Sequence, residues 1–556
     1  MRLAALLAFA ALAHAEQIAV TVLATTDLHG NLLPVDYVTG KPAARGLARV
    51  ATLIRAAEAE NPNHLLIDCG DTIQGTPLEY VYQTLVRTGS GPLGLKPAVP
   101  LTADPMMLAM NRLGYAAMAV GNHEFNFGLS NLNAARAAAK FPWLSANTSG
   151  GDRPFEPYIV KRVGGVKIAV IGITTPVVPT WEKPENLGSY RFSSPVDAVR
   201  KAIAELRAKE QPDLILVAAH SGLGPEEPEE NVVAEVAAKV EGIDAIVFGH
   251  SHRELAGRVI GKTLVVQPKN WGISLARLDF TLQREGSGRW TVANRASRLI
   301  PVKADTAAAP DIVEIAKPYH EFAERYLNTP VATSAVEQSA ALGRVMDTAL
   351  VDAVQQVQLH YAHADVSFSA LFNPAVQVPK GQVTVRQIAA LYPYDNELYA
   401  IEGTGKMVRD ALENAARFYL SCSGARCGEG PLINREVIGF NYDMAEGVEY
   451  EVDLTRPEGE RIRNLRFHGA PLAPDRKLRI AINNYRAAGS AGYSMFAGAP
   501  VVWRSGQEIR DLMVEYYTAR KELPSVSDGN WRVVPDLAAR TLAKEALAAA
   551  GGSGNQ

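Results

Sequence analysis

Ala117-Met118-Ala119-Val120-Gly121-Asn122-His123-Glu124 runs four apolar residues straight into an amide, an imidazole and a carboxylate. A short apolar run bounded by glycine reads as a buried strand, and the polar residues then stand at its C-terminal end. Four other stretches repeat the arrangement. Residues 18–23 lead to Asp27-Leu28-His29, residues 65–67 to Asp68-Cys69-Gly70-Asp71, residues 214–217 to His220, and residues 245–248 to Gly249-His250-Ser251-His252. Five of the eleven histidines therefore sit at strand ends, the edge along which open α/β sheets build their sites. Taken singly, Asp27 reads as a loop cap and Asn122 as a helix start. His64, His320, His360, His363 and His468 have no such setting and receive no role. Taken together, the blocks supply two carboxylates, an amide and enough imidazoles to hold two divalent metals around one shared Asp. Mixed N and O ligands suit Zn, Mn or Fe, and two ions about 3.5–4 Å apart clamp a phosphoryl group during in-line displacement.

These blocks resemble the calcineurin-type metallophosphoesterases, and more narrowly the secreted 5′-nucleotidase superfamily, with its strand and DxHG, then GD, GNHE, a lone His and GHxH. The resemblance implies that Asp27, His29, Asp71 and His252 hold one metal and that Asp71, Asn122, His220 and His250 hold the other. Asp71 bridges the two. The ions it implies are two divalent cations drawn from Mn, Zn, Fe, Co and Mg. His123 stays outside the ligand set and faces the scissile phosphate.

Two departures narrow the branch. The 5′-nucleotidase and UDP-sugar hydrolase members carry an Asp three residues after that histidine, where this chain has Asn126. They also end the last block in Gln, where this chain has His252. Asn126, His252, the stretch DTIQGTPL at residues 71–78 and Trp271-Gly272 resemble the bacterial 2′,3′-cyclic-nucleotide 2′-phosphodiesterase/3′-nucleotidases. An Asn can orient an imidazole but cannot stabilise its charged form as an anion does. Asn126 is therefore expected to orient the catalytic His123.

The first fifteen residues, MRLAALLAFAALAHA, combine Arg2, an apolar core and an Ala13-His14-Ala15 ending. That is the pattern of a secretory signal peptide over residues 1–15, cleaved after Ala15, and it predicts a periplasmic or secreted protein. No later run has membrane-spanning length, so no membrane partner is expected. The net charge of −3, with no polybasic stretch, argues against a nucleic-acid polymer as a stable partner. Cys422 and Cys427 lie in a Gly-containing loop whose spacing allows a local disulfide in an oxidising compartment, while Cys69 reads as a buried thiol.

Strands alternate with helical stretches over residues 16–304, an α/β organisation that the resemblance specifies as a four-layer α/β/β/α sandwich. Residues 305–333 read as a linking helix, 334–525 as a second α/β domain that binds nucleotide, and 526–556 as a tail helix. The second domain shares with the family Gly439-Phe440-Asn441-Tyr442-Asp443 and Asn483-Asn484-Tyr485-Arg486-Ala487. Two aromatic rings sandwich the base in that family, and the matching positions are Tyr442 and Tyr485. Such stacking tolerates every base and is worth roughly 1–3 kcal/mol per base. Ala491 replaces the Asp of the GGDG pattern, and Asn373 stands near the place of the GGIR Arg; both changes remove contacts a 5′-nucleotide would use.

The expected function is a two-metal phosphohydrolase that takes a small-molecule nucleotide, opens a nucleoside 2′,3′-cyclic phosphate and then removes the 3′-phosphate. The rival within the enzymes is a 5′-nucleotidase, UDP-sugar hydrolase or other phosphomonoesterase on the same scaffold. The rival outside them is a nucleotide-binding surface protein with a decayed site, which the complete set of seven ligand positions argues against.

Overall fold

The computed structural model describes residues 16–224, 229–284, 288–394 and 396–552, so the signal peptide expected at residues 1–15 lies outside the described residues. The chain divides into two compact units between Ala323 and Glu324. The helix Pro310–Leu327 spans that division. No helix among the described residues is long and apolar enough to cross a membrane.

The first unit holds two six-stranded mixed sheets. One runs in space Trp290–Pro301, Ser274–Arg284, Gln17–Thr25, His64–Asp68, Ala117–Ala119, Trp143–Leu144; the last four are parallel. The other runs Leu255–Ile260, Thr263–Gln267, Ala245–Phe248, Leu214–His220, Val166–Thr174, Tyr158–Val163, with the four central strands parallel. Alternate residues explain the stacking. Val20, Val22, Ala24, Leu65 and Ile67 of the first sheet share one buried core with Ile168, Val170, Leu214, Leu216 and Val247 of the second. The opposite face of the second sheet, with Ile171, Val217, Ala219 and Ile246, packs under Val199, Ile203 and Leu206 of the helix Pro195–Lys209 and under Val236. Strands buried on both faces lose the apolar–polar alternation, which is why they read as unbroken apolar runs. The four-layer α/β sandwich is thus present.

The second unit is also mixed α/β. A five-stranded sheet runs Asp443–Glu446, Val366–Ala370, Lys477–Asn483, Glu397–Thr404, Val501–Glu508, and a four-stranded sheet runs Ala470–Pro471, Ile462–Phe467, Glu449–Asp453, Trp531–Val534. Cys422 and Cys427 are joined as a disulfide, and Cys69 is a buried thiol in the first unit. The tail forms the helix Asp536–Gly552.

Candidate metal centre and the aromatic surface of the second unit

The strand ends bring all seven expected metal-holding residues of the first unit together. Asp27, His29 and His252 form one group and Asp71, His220 and His250 a second, each with its ligand atoms within 4.8 Å of one another. Asp71 joins the groups. Its Oδ2 lies 3.0 Å from His220 Nε2, 3.7 Å from His29 Nε2 and 4.0 Å from His123 Nε2. His220 Nε2 is 3.1 Å from Asn122 Oδ1, while His252 Nε2 is 3.0 Å from His29 Nε2 and 3.5 Å from Asp27 Oδ1.

The backbone is bent to achieve this. Asp27, His29, Asp71, His250 and His252 all have positive φ, between 45° and 70°. A left-handed non-glycine residue costs of order 1–3 kcal/mol, so the surroundings must hold each one. Asp27 N–H donates to Gly70 O at 2.9 Å, His29 N–H to Asp71 O at 2.8 Å, and His250 N–H to both Asp27 carboxylate oxygens at 3.0 Å. Glycine is required where the loops touch: a Cβ on Gly121 would collide with Asp71 Oδ1, and one on Gly249 with Thr26 and Asp27.

Hydrogen bonds on the far side of the rings set the tautomers. His29 Nδ1 lies 3.1 Å from Gln74 O, and His220 Nδ1 lies 2.8 Å from Cys69 O. A carbonyl only accepts, so each Nδ1 carries hydrogen and each Nε2 is the ring atom turned towards Asp71. His250 Nε2 faces Glu230 Oε1 at 2.7 Å, and its ring stacks on Trp181 with centroids 5.6 Å apart. Burial would raise the Asp27 carboxyl, but the hydrogen bond and charge of His252 outweigh it and hold Asp27 at about 2. Asp71 is held well below the ordinary range in the same way, against its burial, chiefly by His220 and His123. Burial depresses His220, yet Asp71 outweighs it and pushes that ring up to about 10; at His29 burial wins, and the ring stays at about 4. Two buried anions ringed by imidazoles make a pocket that calls for positive charge. Its N and O donors fit intermediate divalent cations.

Two carboxylates that lie within the strand-end blocks, and to which the sequence assigns no role, build the site. Glu124 accepts from Gly121 N–H and Asp71 N–H with Oε2, at 2.7 and 2.9 Å, and from Thr72 N–H with Oε1 at 2.6 Å. It ties the two loops that meet at Asp71, and burial pushes its carboxyl up to about 7. Asp68 accepts from Thr25 Oγ1, Gly70 N–H and Thr72 Oγ1. Glu182, Glu230 and Trp181 lie outside those blocks. Glu182 and Trp181 come after the strand Val166–Thr174, which runs parallel to Leu214–His220 and so ends at the same edge. Its apolar sequence VKIAVIGIT carries the signal that points to them. His123 Nδ1 lies 2.6 Å from Asn126 Oδ1, and Asn126 Nδ2 donates to Glu182 Oε2 at 2.6 Å.

The second unit corrects one expectation. Tyr442 is 2% exposed. Its ring stacks on Phe418 with centroids 5.0 Å apart and meets Tyr419 and Trp531 edge-on, while its hydroxyl lies 2.9 Å from that of Tyr419. It is a core residue, because the tight turn Gly439–Asn441 directs the chain into the buried strand Asp443–Glu446. The exposed ring of that motif is Phe440, 39% exposed and 6.4 Å from Tyr394, itself 45% exposed. Tyr485 is half-buried on the short helix Asn484–Ala487. Arg486 draws the two stretches together. It grips the buried Asp443 with two bonds, Nε–Oδ2 at 2.8 Å and Nη2–Oδ1 at 2.9 Å, and Nη2 also donates to Phe440 O at 2.9 Å. Asn373 serves a turn, accepting from Ala375 N–H at 3.0 Å, and Ala491 lies in a turn with φ of 58°.

Comparison with known proteins agrees with both units. Residues 20–254 match the calcineurin-like phosphoesterase family, and residues 330–498 match the 5′-nucleotidase C-terminal domain. A 2′,3′-cyclic-nucleotide 2′-phosphodiesterase/3′-nucleotidase of Salmonella typhimurium is 31% identical over 95% of this chain and 90% of its own length. A trifunctional nucleotide phosphoesterase protein of Bacillus subtilis is 30% identical over 94% of this chain, which spans only 39% of that relative. Among solved structures, a putative 5′-nucleotidase from Staphylococcus aureus superposes with a TM-score of 0.75 at 26% identity, covering 93% of this chain and all of that one. Divalent metal dependence follows from the first of these families. The chain belongs to the calcineurin-like metallophosphoesterases with a 5′-nucleotidase C-terminal domain, in the group of the 2′,3′-cyclic-nucleotide 2′-phosphodiesterase/3′-nucleotidases.

Proposed function

We propose that this protein opens nucleoside 2′,3′-cyclic phosphates and removes the phosphate of 3′-nucleotides, using two divalent cations, and that it works in the periplasm or after secretion. The observation that carries the reading is the pair of donor groups meeting at Asp71 Oδ2. Asp27, His29, Asp71 and His252 would hold one ion and Asp71, Asn122, His220 and His250 the other. When bound, such ions neutralise charge developing on phosphoryl oxygens and lower the pKa of water.

The chain's own groups supply the rest. His123 presents Nε2 to the phosphate and gives a hydrogen bond to its oxygens or a proton to the leaving ribose oxygen. Asn126 holds the other ring nitrogen. In the second unit, Phe440 takes the place first expected of Tyr442, so that Phe440 and Tyr485 stack the base. The absence of an Asp at position 491 and of an Arg at position 373 favours 3′- over 5′-nucleotides. A turnover panel of 2′,3′-cyclic AMP, 3′-AMP, 5′-AMP, UDP-glucose and bis-p-nitrophenyl phosphate after metal exchange tests this. The first two should lead. A strong preference for 5′-AMP or UDP-glucose sinks the substrate assignment and leaves the fold and metals intact.

A further inference from the structure

The loop after the strand Val166–Thr174 brings a carboxylate to the far side of the catalytic imidazole. Glu182 Oε2 accepts from Asn126 Nδ2 at 2.6 Å, and Asn126 Oδ1 lies 2.6 Å from His123 Nδ1. Glu182 is fixed from its other oxygen, which accepts from Lys183 N–H and from Asn186 Nδ2, each at 2.8 Å. Asn186 Nδ2 also reaches Asn126 O at 3.2 Å. The same loop lays Trp181 against His250.

We propose that Glu182 is a positioning residue for His123, acting through Asn126. The inference rests on the phosphohydrolase reading above and assigns one further residue to it. Hydrogen-bond polarity carries it. An amide is ambidextrous and could present either end to the imidazole. An ionised carboxylate only accepts, so Glu182 takes the Nδ2 end and turns Oδ1 towards His123. That oxygen also only accepts, so His123 must carry a hydrogen on Nδ1, which leaves Nε2 as the nitrogen that holds the proton given to the phosphate or the leaving oxygen. Nε2 is then the ring atom left on the Asp71 side, 4.0 Å from Asp71 Oδ2. The chain thus has an anion behind its catalytic histidine, one link further out than an Asp at position 126 would place it.

Polarity also predicts a reversal that a merely structural glutamate would not give. Glu182→Gln offers Asn126 both a donor and an acceptor, so the amide is no longer locked and His123 loses its fixed tautomer. Asn126→Asp puts an acceptor against Glu182, and the contact at 2.6 Å becomes acceptor against acceptor. Combining the two restores an alternating chain, because the new amide at 182 donates to the new carboxylate at 126. Four proteins are compared: wild type, Glu182→Gln, Asn126→Asp and the double variant, with kcat and KM on base-free bis-p-nitrophenyl phosphate and metal content checked in each.

Glu182→Gln should lower kcat by about 10- to 100-fold, the range for residues supporting a site from behind, with KM and metal content unchanged. In the Asn126→Asp background the same change should raise kcat. An equal loss in both backgrounds, or no loss in wild type, overturns the proposal. A wild type inert on every phosphate ester would instead defeat the phosphohydrolase reading. The relay is then judged from urea midpoints of the same four proteins, where Glu182→Gln should destabilise wild type and stabilise Asn126→Asp; additive midpoints reject it.

Discussion

Replacing each aromatic residue of the GFNYD stretch by alanine separates a base-stacking surface from a core. Tyr442 is 2% exposed and in contact with three rings. Truncating a buried aromatic costs about 3–5 kcal/mol. At roughly 2–4 °C per kcal/mol for a unit of this size, Tyr442→Ala should lower the melting temperature of the second unit by about 6–20 °C. Phe440 is 39% exposed, and its truncation should leave stability within about 0.5 kcal/mol. If Phe440 stacks the base, Phe440→Ala forfeits about 1–3 kcal/mol, or roughly 5- to 150-fold in kcat/KM for a nucleotide. The assay is the ratio of kcat/KM for 3′-AMP to that for bis-p-nitrophenyl phosphate, which has no base, measured beside a thermal melt. Phe440→Ala should drop the ratio without moving the melt; Tyr442→Ala should move the melt without dropping the ratio. The reverse pattern would refute the reassignment and return the clamp to Tyr442.

The first unit gives three other expected outcomes. Asp71→Ala should lose both ions by elemental analysis, because its Oδ2 lies 3.0 Å from His220 of its own group and 3.7 Å from His29 of the other, whereas His252→Ala should chiefly lose one; two ions retained in Asp71→Ala would break the constellation. His123→Asn should keep its metals and slow turnover by roughly 10²–10⁴-fold, and near-normal turnover would remove it from catalysis. Glu79 and Asp104 are fully buried, both bonded by Gln83 Nε2, with Tyr82 and Tyr319 beside them. Burial raises both carboxyls, Asp104 to about 6 and Glu79 well above its ordinary value. A carboxyl raised in the folded state contributes stability that is full below its unfolded pKa and is lost as pH rises through its folded pKa. The pair's contribution to the urea midpoint should therefore fall from about pH 4 upward, the Asp104 share between about pH 4 and 6, and Asp104→Asn, which keeps the oxygen that caps Met107 N–H, should flatten the fall in that window. Parallel pH curves for the two proteins would show that Asp104 does not carry that pH dependence.

The reach of sequence into this molecule is set by the marks that local chemistry leaves on the chain. Strands buried on both faces announce themselves as apolar runs, and a ligand must directly succeed such a run to reach the sheet edge. Asp27, His29, Asp71, Asn122, His220, His250 and His252 are legible for that reason, and the structure gathers all seven. Glu182 reaches His123 only through Asn126, 56 residues away, and Glu230 bonds His250 from 20 residues away; no spacing rule encodes such contacts. Glu182 is still within reach of sequence, since VKIAVIGIT is as clear a strand as the other five and the loop after it has to start at the same edge. Tyr442 misleads for the opposite reason. Its motif marks a turn, but a tight turn reverses direction within two residues, and aromatic identity does not say which ring faces out. Phe440 on the turn and Tyr442 after it have similar chemistry and opposite surroundings. Sequence places the turn, and only packing against Phe418, Tyr419 and Trp531 decides which ring of the motif is buried and which is left exposed.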